Sequence, residues 1–161
     1  MKLWLLRHGE AEPRARTDAE RNLNDAGKLE VRDSAAHLRG RELQVILVSP
    51  YNRAQQTAEI VRQELGFSGE VETVPWLTPE SDPGDALLYL GRRSEKEILL
   101  VTHQPLVGVL GDLLINGRRD TPLPMATASL AELEGEDLVA GLMQLVRLRH
   151  PARDDKRRQP L

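Results

Sequence analysis

The chain has 161 residues, 40% of them hydrophobic and 29% charged, proportions that fit one globular domain around a single core. Its 22 basic and 25 acidic residues leave a formal net charge of -3, which argues against a nucleic-acid partner because a phosphate backbone selects a basic face. No cysteine is present, which excludes disulfides, thiolate metal sites and thiol nucleophiles together.

Taken in chain order, residues 3–6 form an apolar run too short for a signal peptide and cut off by Arg7. No segment approaches the roughly 20 apolar residues that span a bilayer, so a cytoplasmic protein with no membrane partner is expected. The runs at 3–6, 45–48 and 98–101 have the unbroken hydrophobicity of strands covered on both faces. Asn24 is placed to cap a helix carrying Val31, Ala35 and Leu38 on one face, with Gly40 as its stop. Ser49-Pro50 is expected to cap and open a second helix through Ala54, Ala58, Val61 and Leu65, ended by Gly66. Residues 71–74 make a weaker strand, and Pro105 opens a helix closed near Asn116-Gly117. Residues 129–133 and 142–148 alternate apolar with polar and form a hairpin or late strands. The chain thus divides into a domain over 1–150 and a tail over 151–161, which lacks periodicity and is expected to be disordered.

Strands alternating with helices predict an α/β fold: a single-domain three-layer sandwich with a mostly parallel central sheet flanked by helices. In such a sheet, ligands sit outside the carboxyl ends of the strands. The first strong strand ends in Arg7-His8-Gly9, the second is followed within a helical turn by Arg53, and the third ends in Thr102-His103. Two histidines and two arginines therefore converge on one crevice. Arginine offers a planar fork matched to phosphate oxygens, and helix N-termini near Ser49 and Pro105 would add positive potential. Taken singly, Arg53 is a solvated helix residue and His103 a core or capping histidine; their joint position makes the active-site expectation. His37 and His150 are expected to be structural. The histidines lack metal-ligand spacing, so no metal and no cofactor are expected.

These residues resemble a known family. The segment Leu5-Leu6-Arg7-His8-Gly9-Glu10-Ala11 is similar to the signature of the histidine phosphatase, or phosphoglycerate mutase-like, superfamily. Residues 49–58, with Ser-Pro, Arg-Ala and Thr-Ala pairs, resemble its second motif, and Val101-Thr102-His103 its third. Residues 21–27, 77–79 and 104–108 narrow the likeness to the SixA-type phosphohistidine phosphatases, over about the first 130 residues.

The resemblance implies that His8 attacks phosphorus and becomes a phosphohistidine, which water then hydrolyses. It implies that Arg7, Arg53 and His103 hold the phosphoryl group, with Arg21 as a further basic position. Larger family members carry a carboxylic general acid after a mid-chain leucine; here that position is Pro79, with Glu80 and Asp82 displaced nearby. An alkoxide leaving group needs a proton donor, whereas an imidazole leaves more readily. The expected activity is hydrolysis of phosphohistidine on a protein, such as a histidine phosphotransfer domain or a phosphotransferase-system carrier. Two alternatives stand beside it. One is a small-molecule phosphomonoesterase using Glu80 or Asp82 as acid, and the other a phosphate-dependent binding module without turnover.

Overall fold

The computed structural model describes residues 1–151. Six strands form one sheet: β1 (Lys2–Arg7), β2 (Val45–Val48), β3 (Glu70–Thr73), β4 (Glu97–Thr102), β5 (Leu130–Glu134) and β6 (Gln144–Arg149), in the order β3-β2-β4-β1-β5-β6. The first four run parallel. β5 and β6 are antiparallel additions at the β1 edge, so the late strands do form a hairpin.

The apolar runs become central strands because both their faces are covered. On one face Leu3, Leu5, Leu47 and Leu100 pack under α3 (Pro83–Gly91) and α4 (Leu106–Asn116). On the other, Trp4, Leu6, Ile46 and Leu99 pack under α1 (Asp25–Ala35) and α2 (Asn52–Leu65). The expected three-layer α/β sandwich is therefore the observed one. Register aligns the carboxyl ends of the central strands: Arg7 lies opposite Thr102, and Val48 opposite Val101.

Local differences from the sequence expectation have physical causes. Asn24 caps α1 through the Gly27 N–H, but the helix tightens into a 3-10 turn over Ala36–Leu38 before Gly40. Ser49 does not cap α2, which begins at Asn52 after an extended Tyr51; the Ser49 hydroxyl is committed elsewhere. Helix α3 was not anticipated, although Asp82 caps it and Pro83 opens it. Gly66 and Gly117 end α2 and α4 in left-handed conformation, as expected. Of the expected tail, Pro151 is buried and the rest lies outside the described residues. Among the described residues no helix is long and apolar enough to cross a membrane.

Candidate active site

His8 is the first residue beyond β1, and its backbone is held from two sides. Its N–H donates to the Thr102 carbonyl at 3.0 Å, and its carbonyl accepts from the Ala128 N–H at 2.9 Å. The next residue has to be glycine: a Cβ on Gly9 would lie 2.6 Å from the Gly27 carbonyl oxygen and 2.8 Å from a Val31 methyl. The Gly9 N–H donates to Thr57 Oγ1 at 3.1 Å, and that hydroxyl donates to the Arg53 carbonyl at 2.8 Å. Loop and α2 are thereby locked together around the imidazole.

The His8 ring has a defined tautomer. Its Nδ1 lies 2.7 Å from the Gly9 carbonyl, a group that accepts only, so Nδ1 carries the proton. Nε2 keeps its lone pair and accepts from Arg53 Nε at 3.2 Å. Burial lowers the His8 pKa to about 4; the Gly9 hydrogen bond opposes this, and the charges of Arg53, Arg7 and Arg21 add to it. The ring is neutral at pH 7 and presents a nucleophilic nitrogen.

Arg53, in the first turn of α2, is 4% exposed, and each of its three side-chain nitrogens donates a hydrogen bond. Besides His8 it donates to the Asp18 carbonyl through Nη1 at 2.7 Å and to Asp18 Oδ2 through Nη2 at 3.0 Å. The Tyr51 ring lies 5.2 Å from it. Arg7 ends β1 and donates through Nη1 to the Met125 carbonyl at 2.9 Å. His103, beyond β4, has its ring centre 5.0 Å from that of His8. Burial, with the charges near it, lowers its pKa to about 2. Its Nε2 lies 2.7 Å from Ser49 Oγ, while its buried Nδ1 has no hydrogen-bond partner among the described residues. A phosphoryl oxygen is the kind of group that would complete it.

The structure thus brings His8, Arg7, Arg53 and His103 together. Arg21 stands one layer out, donating to the Glu12 carbonyl at 2.7 Å and to Asp18 Oδ1 at 2.9 Å. Glu80 and Asp82 hydrogen-bond to none of these four side chains. Glu80 is exposed, and Asp82 accepts from the Gly84 N–H at 2.6 Å as the cap of α3, with Arg119 at 3.4 Å. His150 bonds to Ser129 at 2.6 Å and His37 sits in the 3-10 turn. Among the described residues no group of three or more His, Asp or Glu side chains is placed to hold a metal. Asp18 was missed by sequence reasoning, Thr57 was noted only as part of the second motif, and Ser49 was given the wrong task. Their roles depend on contacts across 35 to 54 residues, for which a local pattern carries no signal.

Comparison with known proteins identifies the family. The model of the histidine phosphatase superfamily (branch 1) matches residues 3–82. Phosphohistidine phosphatase SixA of Escherichia coli K12 is 35% identical over 138 residues, which cover 83% of this chain and 84% of that one. The chain belongs to the histidine phosphatase superfamily. A SixA homolog of Haemophilus influenzae is 32% identical over 146 residues, 83% of this chain and 87% of its own. The structure of the protein histidine phosphatase SixA complexed with tungstate superposes with a TM-score of 0.84 at 33% identity, covering 94% of this chain and 97% of that one. In this member of the superfamily, Arg7-His8, Arg53 and His103 lie at the carboxyl edge of the sheet.

Proposed function

We propose that this protein is a phosphohistidine phosphatase whose substrate is a phosphorylated histidine on another protein. His8 Nε2 attacks phosphorus as the P–N bond to the substrate imidazole breaks. The leaving imidazole takes up a proton from solvent in the open site, and water then cleaves the His8 phosphoryl group, releasing phosphate and restoring neutral His8. Arg7, Arg53 and His103 hold the phosphoryl oxygens as charge shifts among them, and Arg21 supports the cluster from outside. The observation that carries this reading is the His8 tautomer: Nδ1–H is fixed on Gly9, so Nε2 faces the cations with its lone pair.

The choice of leaving group rests on proton donors. Asp18, the carboxyl bonded to Arg53, is held below the usual carboxylate range by its hydrogen bonds to Arg21 and Arg53. It is ionised and has no proton to give. With Asp82 capping α3 and Glu80 in solvent, neither carboxyl is held against the nucleophile, which favours an imidazole leaving group over an alkoxide. The phosphomonoesterase alternative loses its candidate acids, and a binding module needs no nucleophile. An open groove of about 780 Å³ borders the site at Arg7 and runs past Gln104, Pro105, Pro124, Met125 and His150, leaving room beside the site for the surface of a protein substrate. A histidine phosphotransfer domain or a phosphotransferase-system carrier, met in the cytoplasm, is the partner class this favours.

Labelled phosphohistidine protein mixed with the enzyme and quenched should leave an acid-labile, base-stable adduct. His8→Ala should abolish that adduct and lower turnover by at least about 10³-fold. No adduct in the parent, with unchanged turnover in His8→Ala, would refute covalent catalysis by His8. Faster hydrolysis of aliphatic phosphate esters than of phosphohistidine would refute the substrate class.

A further inference from the structure

The arginines of the site already hold an anion. The two carboxylate oxygens of Asp18 are divided between two guanidinium groups, Oδ2 at 3.0 Å from Arg53 Nη2 and Oδ1 at 2.9 Å from Arg21 Nη1. Both are charge-assisted hydrogen bonds of the kind arginine also makes to phosphate oxygens. The two arginines differ sharply in setting. The Arg53 side chain is 5% exposed and touches the nucleophile, whereas the Asp18 side chain is 54% exposed. Asp18 sits at the end of an exposed stretch over residues 12–18, tethered by its own carbonyl to Arg53 Nη1 and through it to the Arg21 N–H. The backbone contact orients Arg53 whatever the side chain does. The carboxylate adds a negative charge at the mouth of a site built for a dianion.

We infer that Asp18 is a specificity-determining residue: its carboxylate is a built-in anion on the Arg53–Arg21 pair, which an incoming phosphoryl group must displace or share. Its effect is to weaken the hold on any simple oxyanion, inorganic phosphate included. A substrate that brings binding contacts beyond its phosphoryl group can offset that repulsion, and a free oxyanion cannot. The site is thereby biased toward a phosphoryl group attached to a large partner, and it releases the phosphate it makes. This deepens the phosphohistidine-protein reading and rests on it for the identity of the large partner.

The opposite role is a strut, in which the carboxylate pre-orients the guanidinium groups and so strengthens anion binding. The two roles predict opposite signs. Tungstate serves as the probe, because its binding needs no turnover. Calorimetry on the full chain at pH 7 should show Asp18→Asn binding tungstate on the order of tenfold more tightly than the parent, from loss of one nearby charge. Inorganic phosphate should become a correspondingly stronger inhibitor. Asp18→Glu, which retains the charge, should stay near the parent, and melting curves establish that each variant is folded. Equal or weaker tungstate binding by Asp18→Asn overturns the inference, as does Asp18→Glu binding as tightly as Asp18→Asn. Failure of the substrate reading looks different: tungstate would tighten as expected while phosphohistidine protein went unhydrolysed.

Discussion

Ser49 carries more of the chemistry than its place before a proline announces. Its oxygen accepts from the Tyr51 N–H at 3.2 Å, and with His103 Nε2 2.7 Å away we assign its own proton to that nitrogen. That assignment places the ring proton of His103 on the unpartnered Nδ1, where it can donate to a phosphoryl oxygen. Both histidines are then neutral but of opposite use: His8 offers its Nε2 lone pair, which Arg53 Nε holds until phosphorus displaces it, and His103 its Nδ1–H. Ser49→Ala should release the His103 tautomer and lower kcat/KM by roughly 10- to 100-fold, since one oriented donor is lost. Nitrogen-15 spectra of the ring should show Nε2 unprotonated in the parent and mixed in the variant. A kcat/KM within twofold of the parent would sink this assignment.

At the scale of elements, the nucleophile's position depends on how closely the loop after β1 approaches α1. A Cβ on Gly27, in the first turn of α1, would come within 2.0 Å of the Glu10 carbonyl oxygen and 2.7 Å of the Glu10 nitrogen. In a free helix Gly→Ala stabilises by about 1 kcal/mol. Here the sign reverses, because the loop must move away. Gly27→Ala should destabilise by about 1–3 kcal/mol and reduce kcat/KM more than tenfold, as His8 shifts with its neighbours. Denaturant unfolding and steady-state kinetics together check this, and a stabilised, fully active variant would refute it. The same elements mark what could be read from the chain. Residues 3–6, 45–48 and 98–101 were legible as strands because burial on both faces leaves an unbroken apolar run, and that placed His8, Arg53 and His103 together. Helix α3 was overlooked because Asp82 was weighed only as a candidate acid, although Asp82 and Pro83 are a cap and a first helical residue. The Asp18 and Ser49 contacts were invisible because they join distant segments through side-chain geometry.

For the whole molecule, keeping two neutral histidines buried among arginines has a consequence for stability. Unfolded, both rings titrate near 6.5; folded, His8 is lowered to about 4 and His103 to about 2. Between these values the unfolded chain binds protons that the folded protein refuses, so acid favours unfolding. The stabilisation is complete above about pH 6.5. It is lost as pH falls, ceasing to fall further through His8 near 4 and through His103 only near 2. Between pH 6.5 and 5 each ring should remove roughly 2 kcal/mol from the unfolding free energy. Urea unfolding at pH 7 and pH 5 should therefore show a marked loss in the parent, and His8→Asn, which removes one of the two rings, should lose about half as much. Parallel pH dependences for parent and variant would show that His8 is not held neutral by burial. The same neutrality that makes His8 a nucleophile at pH 7 would then need another source, and the tautomer fixed by Gly9 would be the part of the mechanism left standing.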